Sequence, residues 1–170
     1  TEVQDADWLA NDCDGDGVIN GDEITDGTNP QDDCEFNIAS ISIAITSLSD
    51  CDGDGVTNAD EIQVGTNPQD DCDYLVSSIT LPITSISDCD GDGVTNADEH
   101  NDGTNPQDDC EFTIGSITLP ITSVSDCDGD GVTNADEIAN GTNPQDDCDF
   151  LIANITLPIT STSDCDGDGV

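Results

Sequence analysis

The chain reads as a repeat protein: a solenoid-like linear array in which small acidic loops, each followed by a short helical turn, alternate with β-strand spacers and are stapled by disulfides. Three observations predict this. A block of 38 residues recurs along the chain, nine cysteines alternate at spacings of 21 and 17, and 40 of 170 residues are Asp or Glu while none is Lys or Arg. So much like charge opposes any compact state unless counter-ions are bound within it. The acids also sit at fixed spacings rather than in blocks, which argues against plain disorder.

The repeat sets the domain organisation. Asp50-Cys51-Asp52-Gly53-Asp54-Gly55-Val56-Thr57-Asn58-Ala59-Asp60-Glu61 returns at 88–99 and 126–137, and a close variant fills 12–23. Units therefore run 12–49, 50–87, 88–125 and 126–163, with a fifth beginning at 164–170 and stopping in mid-motif, as in a window of a longer array. Residues 1–11 read as the end of a preceding spacer. Such arrays are quasi-one-dimensional, each unit packing mainly on its neighbours.

Within a unit the acidic loop comes first. Counted from Asp50, oxygens fall at positions 1, 3, 5, 9 and 12, with Gly55 at position 6 and the Val56 carbonyl at position 7. Alternate Asp side chains converge on one point only if the chain curls tightly, which Gly at position 6 permits, and a carboxylate at position 12 closes the site from the following helical turn. This is the ligand order of a 12-residue calcium loop, and calcium tolerates six to eight hard oxygen ligands. The predicted ligands are Asp12, Asp14, Asp16, Val18, Asn20 and Glu23; Asp50, Asp52, Asp54, Val56, Asn58 and Glu61; Asp88, Asp90, Asp92, Val94, Asn96 and Glu99; Asp126, Asp128, Asp130, Val132, Asn134 and Glu137; and Asp164, Asp166, Asp168 and Val170.

The helical turn is predicted to stop at Gly27, Gly65, Gly103 and Gly141, each opening a Gly-Thr-Asn-Pro segment. Glycine takes the left-handed conformation that ends helices, and a residue before proline leaves the helical region. A Gln-Asp-Asp-Cys segment then returns toward the loop. That places Asp32, Asp33, Asp70, Asp71, Asp108, Asp109, Asp146 and Asp147 as further ligands or as the ligands of a second ion. The third part, as in Ile79-Thr80-Leu81-Pro82-Ile83, alternates as a strand does, and Pro82, Pro120 and Pro158 confine it to an edge or interrupt it.

Regular cysteines point to disulfides in an oxidising compartment, and the absence of Cys-x-x-Cys pairs argues against zinc. Two pairings fit. The favoured one joins Cys13 to Cys34, Cys51 to Cys72, Cys89 to Cys110 and Cys127 to Cys148, leaving Cys165 to pair elsewhere. The other joins 34 to 51, 72 to 89, 110 to 127 and 148 to 165 and closes each spacer as a hairpin.

The run Asp-Gly-Asp-Gly-Val-Thr-Asn-Ala-Asp-Glu-Ile followed by Gly-Thr-Asn-Pro resembles the thrombospondin type 3 repeats of bacterial surface proteins, and the loop alone is similar to those of EF-hands and dockerins. The Ile/Ser/Thr spacers resemble linkers in surface proteins of Bacteroidota-type bacteria. The resemblance implies extracellular, calcium-rigidified stalks at a bacterial cell surface, with calcium as the structural cofactor. Two departures separate the chain from the other two families. No helix-forming segment precedes each loop, as an EF-hand needs. Four evenly spaced copies do not fit a dockerin's paired duplicate.

Composition excludes other classes. Without Lys or Arg, phosphates cannot be neutralised, so nucleic acid is not a partner. No apolar stretch is long enough to span a bilayer. No nucleophile–base–orienter set can be assembled around His100, the only histidine, so no enzyme is expected. Trp8 reads as a packing residue. Asn140-Gly141-Thr142 and Asn154-Ile155-Thr156 match the N-glycosylation pattern, making glycans candidate partners alongside further copies of the repeat in a fibre. The expected function is a stiff extracellular stalk or filament. The alternatives are a calcium-dependent adhesin spacer and an acidic calcium-buffering matrix protein.

Overall fold

The computed structural model describes residues 5–167, so the ligands expected at Asp168 and Val170 lie outside the described residues. The chain divides into two compact units, Thr1–Ser85 and Ile86–Val170. Each carries two 38-residue repeats. The α-helices are α1 (Ala6–Leu9), α2 (Asn20–Asp26), α3 (Asn58–Val64), α4 (Asn96–Asp102) and α5 (Asn134–Asn140), and a 3-10 turn opens each spacer, as at Val76–Ser78.

Helices α2 to α5 are defined at both ends by the sequence. Thr57, Thr95 and Thr133 have extended backbones and accept, through their side chains, the N–H groups of Asp60, Asp98 and Asp136. Acids in the first turn, such as Asp60 and Glu61, complement the positive end of the helix. Ile19 takes the threonine's place ahead of α2 and supplies no such cap. At the other end Gly27, Gly65, Gly103 and Gly141 are left-handed, as the sequence predicts, and each donates its N–H to the glutamate carbonyl of its helix.

The spacers are not β-strands: the described residues contain none. Each spacer is an extended segment lying along the loop of its own repeat. In the second repeat, Thr80 and Leu81 both donate N–H to the Gly55 carbonyl, and Thr84 and Ser85 both donate to that of Gly53. The same doubled bonds link Ser42 and Ile43 to Gly17, and Thr46 and Ser47 to Gly15. The apolar alternation in the sequence therefore reflects one face seated on a loop. A ladder needs single N–H to carbonyl pairs along both chains, and here the donors converge in twos on two glycines.

This packing explains the glycines. Gly53 and Gly55 have φ of 84° and 92°. A Cβ on Gly53 would lie 2.5 Å from Thr84 Oγ1, and one on Gly55 would lie 2.8 Å from the Leu81 carbonyl oxygen.

Residues 6–9, within the segment read as the end of a preceding spacer, form α1. Asp5 accepts the Trp8 N–H at 2.9 Å. Helix α1 packs on α2 so closely that a Cβ on Gly21 would meet the Leu9 carbonyl at 3.0 Å, and the other repeats carry Ala at this place.

The disulfides follow the second of the two pairings. Cys34–Cys51, Cys110–Cys127 and Cys148–Cys165 are bonded at a separation of 17, Cys72 and Cys89 are disulfide-bonded as well, and Cys13 is free. The favoured pairing of Cys13 with Cys34 and of Cys51 with Cys72 is therefore overturned. The physical reason is the spacer. By doubling back along its own loop it delivers Ser49 and Cys51 to the segment that precedes it. There Ser49 Oγ donates to Asp33 Oδ2, and the Cα atoms of Cys34 and Cys51 lie 5.3 Å apart. Closing a loop of this length stabilises the fold by about 3 kcal/mol.

The apolar core is small. Among the described residues it comprises Val18, Phe36, Val56, Tyr74, Val94, Phe112 and Val132. In each unit a glutamine from the second repeat fastens the aromatic residue of the first: Gln69 Nε2 donates to the Phe36 carbonyl, and Gln145 Nε2 to that of Phe112, both at 2.9 Å.

Candidate metal centre

Each loop winds around its own carboxylates. Asp50 Oδ1 accepts the Gly53 N–H at 2.8 Å and its Oδ2 accepts the Gly55 N–H at 3.0 Å. Asp52 Oδ1 takes the Asp54 N–H at 3.2 Å, and Asp54 Oδ1 takes the Val56 N–H at 2.7 Å. The bonds repeat in the other full loops with little change in length. The loop starting at Asp164 makes the first of them, from Gly167 N–H to Asp164 Oδ1 at 2.9 Å. These bonds account for one oxygen of the aspartates at positions 3 and 5. The Oδ2 atoms of Asp14, Asp16, Asp52, Asp54, Asp90, Asp92, Asp128 and Asp130 are buried without a hydrogen-bond partner.

The glutamate at position 12 completes the set. The first helical turn carries Glu23, Glu61, Glu99 and Glu137 inward until they are fully buried, and neither carboxylate oxygen of any of them has a hydrogen-bond partner. Carboxylate oxygens of Asp12, Asp14 and Asp16 lie within 4.8 Å of one another. Desolvation, followed by the charges of Asp52, Asp54 and Asp50, pushes the Glu61 pKa up to about 8. The same causes, in the same order, raise Glu99 to about 9, Glu137 to about 8 and Glu23 to about 7. Burial likewise lifts Asp54 to about 7 and Asp52 to about 6.

Buried unpaired carboxylates cost several kcal/mol each unless a cation compensates them. No side chain of this protein supplies one, because Lys and Arg are absent and His100 is exposed. Converging hard oxygens around a tight glycine-bearing loop fit a divalent cation, with Asp12, Asp14, Asp16 and Glu23 as the holding carboxylates in the first repeat and their counterparts in the others. The cation would neutralise these charges and fix the loop's curl. Clusters that combine Asp109 with Cys110 and Cys127, or Asp147 with Cys148 and Cys165, are not thiolate sites, since those sulfurs are in disulfides.

The valines at position 7 are buried, and their N–H groups are held by the preceding aspartates. The asparagines at position 9 are also buried, but their side chains are engaged elsewhere. Asn58 Oδ1 accepts the Cys51 N–H at 3.1 Å, and its Nδ2 lies 2.9 Å from Cys51 Sγ. Of the Gln-Asp-Asp pair, the first residue turns outward: Asp32, Asp70, Asp108 and Asp146 each accept the N–H of the cysteine two residues on, at 3.2 Å. The second faces the loop. Asp33, Asp71, Asp109 and Asp147 are among the charges that raise the pKa values of Asp16, Asp54, Asp92 and Asp130. Sequence reasoning missed Glu35, Asp73 and Glu111. They bring further negative charge toward Glu23, Glu61 and Glu99, and the only signal of them is an acid after every second cysteine of the pattern.

Cation uptake must displace protons from these groups, because the bound form needs the carboxylates ionised. Calcium binding is expected to release protons between pH 8 and 6, increasingly so as the pH falls through the raised values of Glu61 and Asp54, while apparent affinity declines. Calorimetric titration in two buffers of different ionisation enthalpy measures the release, and an enthalpy independent of buffer would count against it.

Comparison with curated proteins and with solved structures finds no match. A family profile, the bacterial TSP3 repeat, matches residues 12–32, 50–70, 88–108 and 126–146, which span the acidic loop, the helix and the Gly-Thr-Asn-Pro-Gln-Asp turn of every full unit. These four segments are bacterial thrombospondin type 3 repeats, so the chain carries four copies of that repeat in tandem.

Proposed function

We propose that the chain is a non-enzymatic, extracellular structural protein: a linear stalk or filament at a bacterial cell surface, stiffened by calcium in each loop and by the disulfides between them. The observation that carries this is the inverted core. In every full repeat an aspartate, an asparagine and a glutamate are as deeply buried as the valine beside them. Four carboxylates surround a place that only an external cation can neutralise.

Calcium suits these ligands better than magnesium, whose stricter octahedron and shorter bonds fit a loop of mixed aspartate and glutamate less well. The second acid of each Gln-Asp-Asp pair (Asp33, Asp71, Asp109 and Asp147) supplies a further ligand or helps hold a second ion. The disulfides support an oxidising, extracellular setting, and no helix is long and apolar enough to cross a membrane. Partners of the same kind, neighbouring chains in a fibre or glycans on exposed Asn140, fit a surface role.

Calcium titration by calorimetry, with small-angle scattering on the same samples, tests the proposal. At least one ion per full loop at sub-millimolar affinity, with a change from an expanded coil to a stiff particle, is the expected result. Weak, graded binding with unchanged scattering would instead mark an acidic calcium buffer.

A further inference from the structure

We infer that the asparagine at loop position 9 is a positioning residue that ties each cation loop to the disulfide entering it, so that the staple closing one repeat's spacer sets the affinity of the next loop. The inference rests on the proposal that these loops hold calcium, and it changes which atoms do the holding.

In a calcium loop of this spacing, position 9 offers an oxygen to the ion, directly or through water. Here the side-chain atoms of Asn58 have other partners. Its carbonyl accepts from the backbone of Cys51, at position 2, and its amide nitrogen lies 2.9 Å from the sulfur of the same residue. Asn96 and Asn134 repeat both contacts with Cys89 and Cys127, at 2.9 to 3.1 Å. All are fully or almost fully buried. Asn58 also bonds through its backbone, donating N–H to the Ser49 carbonyl at 2.9 Å. One residue therefore grips the chain on both sides of Asp50, the first ligand of the loop.

The sulfur that Asn58 touches is bonded to Cys34 in the preceding repeat. Any freedom at that disulfide is thereby passed to Asp50 and Asp52, which flank Cys51. The first repeat supplies the contrast. Cys13 has no disulfide, and there the amide of Asn20 donates to the Trp8 carbonyl at 2.7 Å and lies farther, at 3.1 Å, from Cys13 Sγ.

The test uses the full chain and reads each loop separately through the amide resonances of Gly17, Gly55, Gly93 and Gly131 during calcium titration. Cys34→Ser removes only the Cys34–Cys51 bond. It is expected to weaken the second loop about tenfold and to leave the first loop unchanged. Asn58→Leu is expected to weaken the second loop by a similar factor, and adding Cys34→Ser to it should do little more, because both changes cut one connection. Multiplying effects, or a second loop indifferent to Cys34→Ser, would overturn the inference.

Should the variants not fold, the unaltered chain still decides. Scalar coupling from the Cys51 amide to the Asn58 side-chain carbonyl must persist at calcium saturation, and its disappearance would mean that the oxygen has moved to the ion. Failure of the wild-type chain to bind calcium at all would refute the proposed function rather than this inference.

Discussion

Chelation of divalent cations at neutral pH is expected to abolish the cooperative thermal transition of this protein, with loss of the helical circular-dichroism signal and of amide protection at Gly17, Gly55, Gly93 and Gly131. The effect is large because little else holds the fold. The apolar core among the described residues is seven side chains, whereas Asp16, Glu23 and their equivalents are buried with oxygens that have no partner. Disulfides limit how far the chain expands but do not neutralise a single carboxylate. Without a cation, each repeat must protonate its acids or expose them.

The pH dependence under chelation follows from the sign of the shifts. The folded arrangement raises the carboxylate pKa values above their usual range, to about 6 for Asp52, 7 for Asp54 and 8 for Glu61. Their contribution to stability is thus greatest when they are protonated, and it is lost as the pH rises from about 4 through those values. Helical signal in excess chelator should therefore be stronger at pH 4.5 than at pH 8, the reverse of the calcium-loaded protein. Calorimetry with and without chelator at both pH values checks the pair of outcomes. An unchanged transition temperature in chelator at pH 8 would show that the acids are compensated by something other than a cation.

How much of this was legible in the sequence depended on whether the information was local. Loop, cap and stop are set by residues within one turn of each other, so Asp50, Gly55, Glu61 and Gly65 could be assigned directly. The return of the Gln-Asp-Asp segment toward the loop also came out of short-range geometry, and Asp33 and Asp71 do face it. The disulfides did not, because their pairing depends on the course of the whole spacer. Cys51 meets Cys34 only after residues 41–49 have doubled back along the loop. The spacer itself misled for a related reason. Alternation in Ile79, Leu81 and Ile83 reports that one face is covered, and it is silent on whether the cover is a strand or the carbonyls of two glycines. At position 9, read from the spacing as an oxygen donor to the ion, Asn58 Oδ1 accepts the Cys51 N–H, a contact that nothing in the spacing shows.

Gly55→Ala is expected to cost far more than Gly65→Ala, though the two glycines have nearly the same positive φ. Their φ values are 92° and 91°. Both substitutions force an L-residue into the left-handed region, at roughly 1–2 kcal/mol. Gly65 ends α3 with nothing within 4 Å of an added Cβ, so the penalty stops there. At Gly55 the new methyl would press within 2.8 Å of the Leu81 carbonyl and 3.0 Å of Ile79 Cγ2, adding an overpacking penalty of about 1–3 kcal/mol. It would also push the spacer from the loop and break the paired bonds of Thr80 and Leu81 to the Gly55 carbonyl. The loop's curl depends on those bonds, so calcium affinity at the second repeat should fall with stability in Gly55→Ala and hold in Gly65→Ala. Denaturant unfolding in calcium, combined with loop-resolved titration, measures both. Equal costs at the two positions would mean that the spacer does not bear on the loop, and the doubled hydrogen bonds would then be incidental to cation binding.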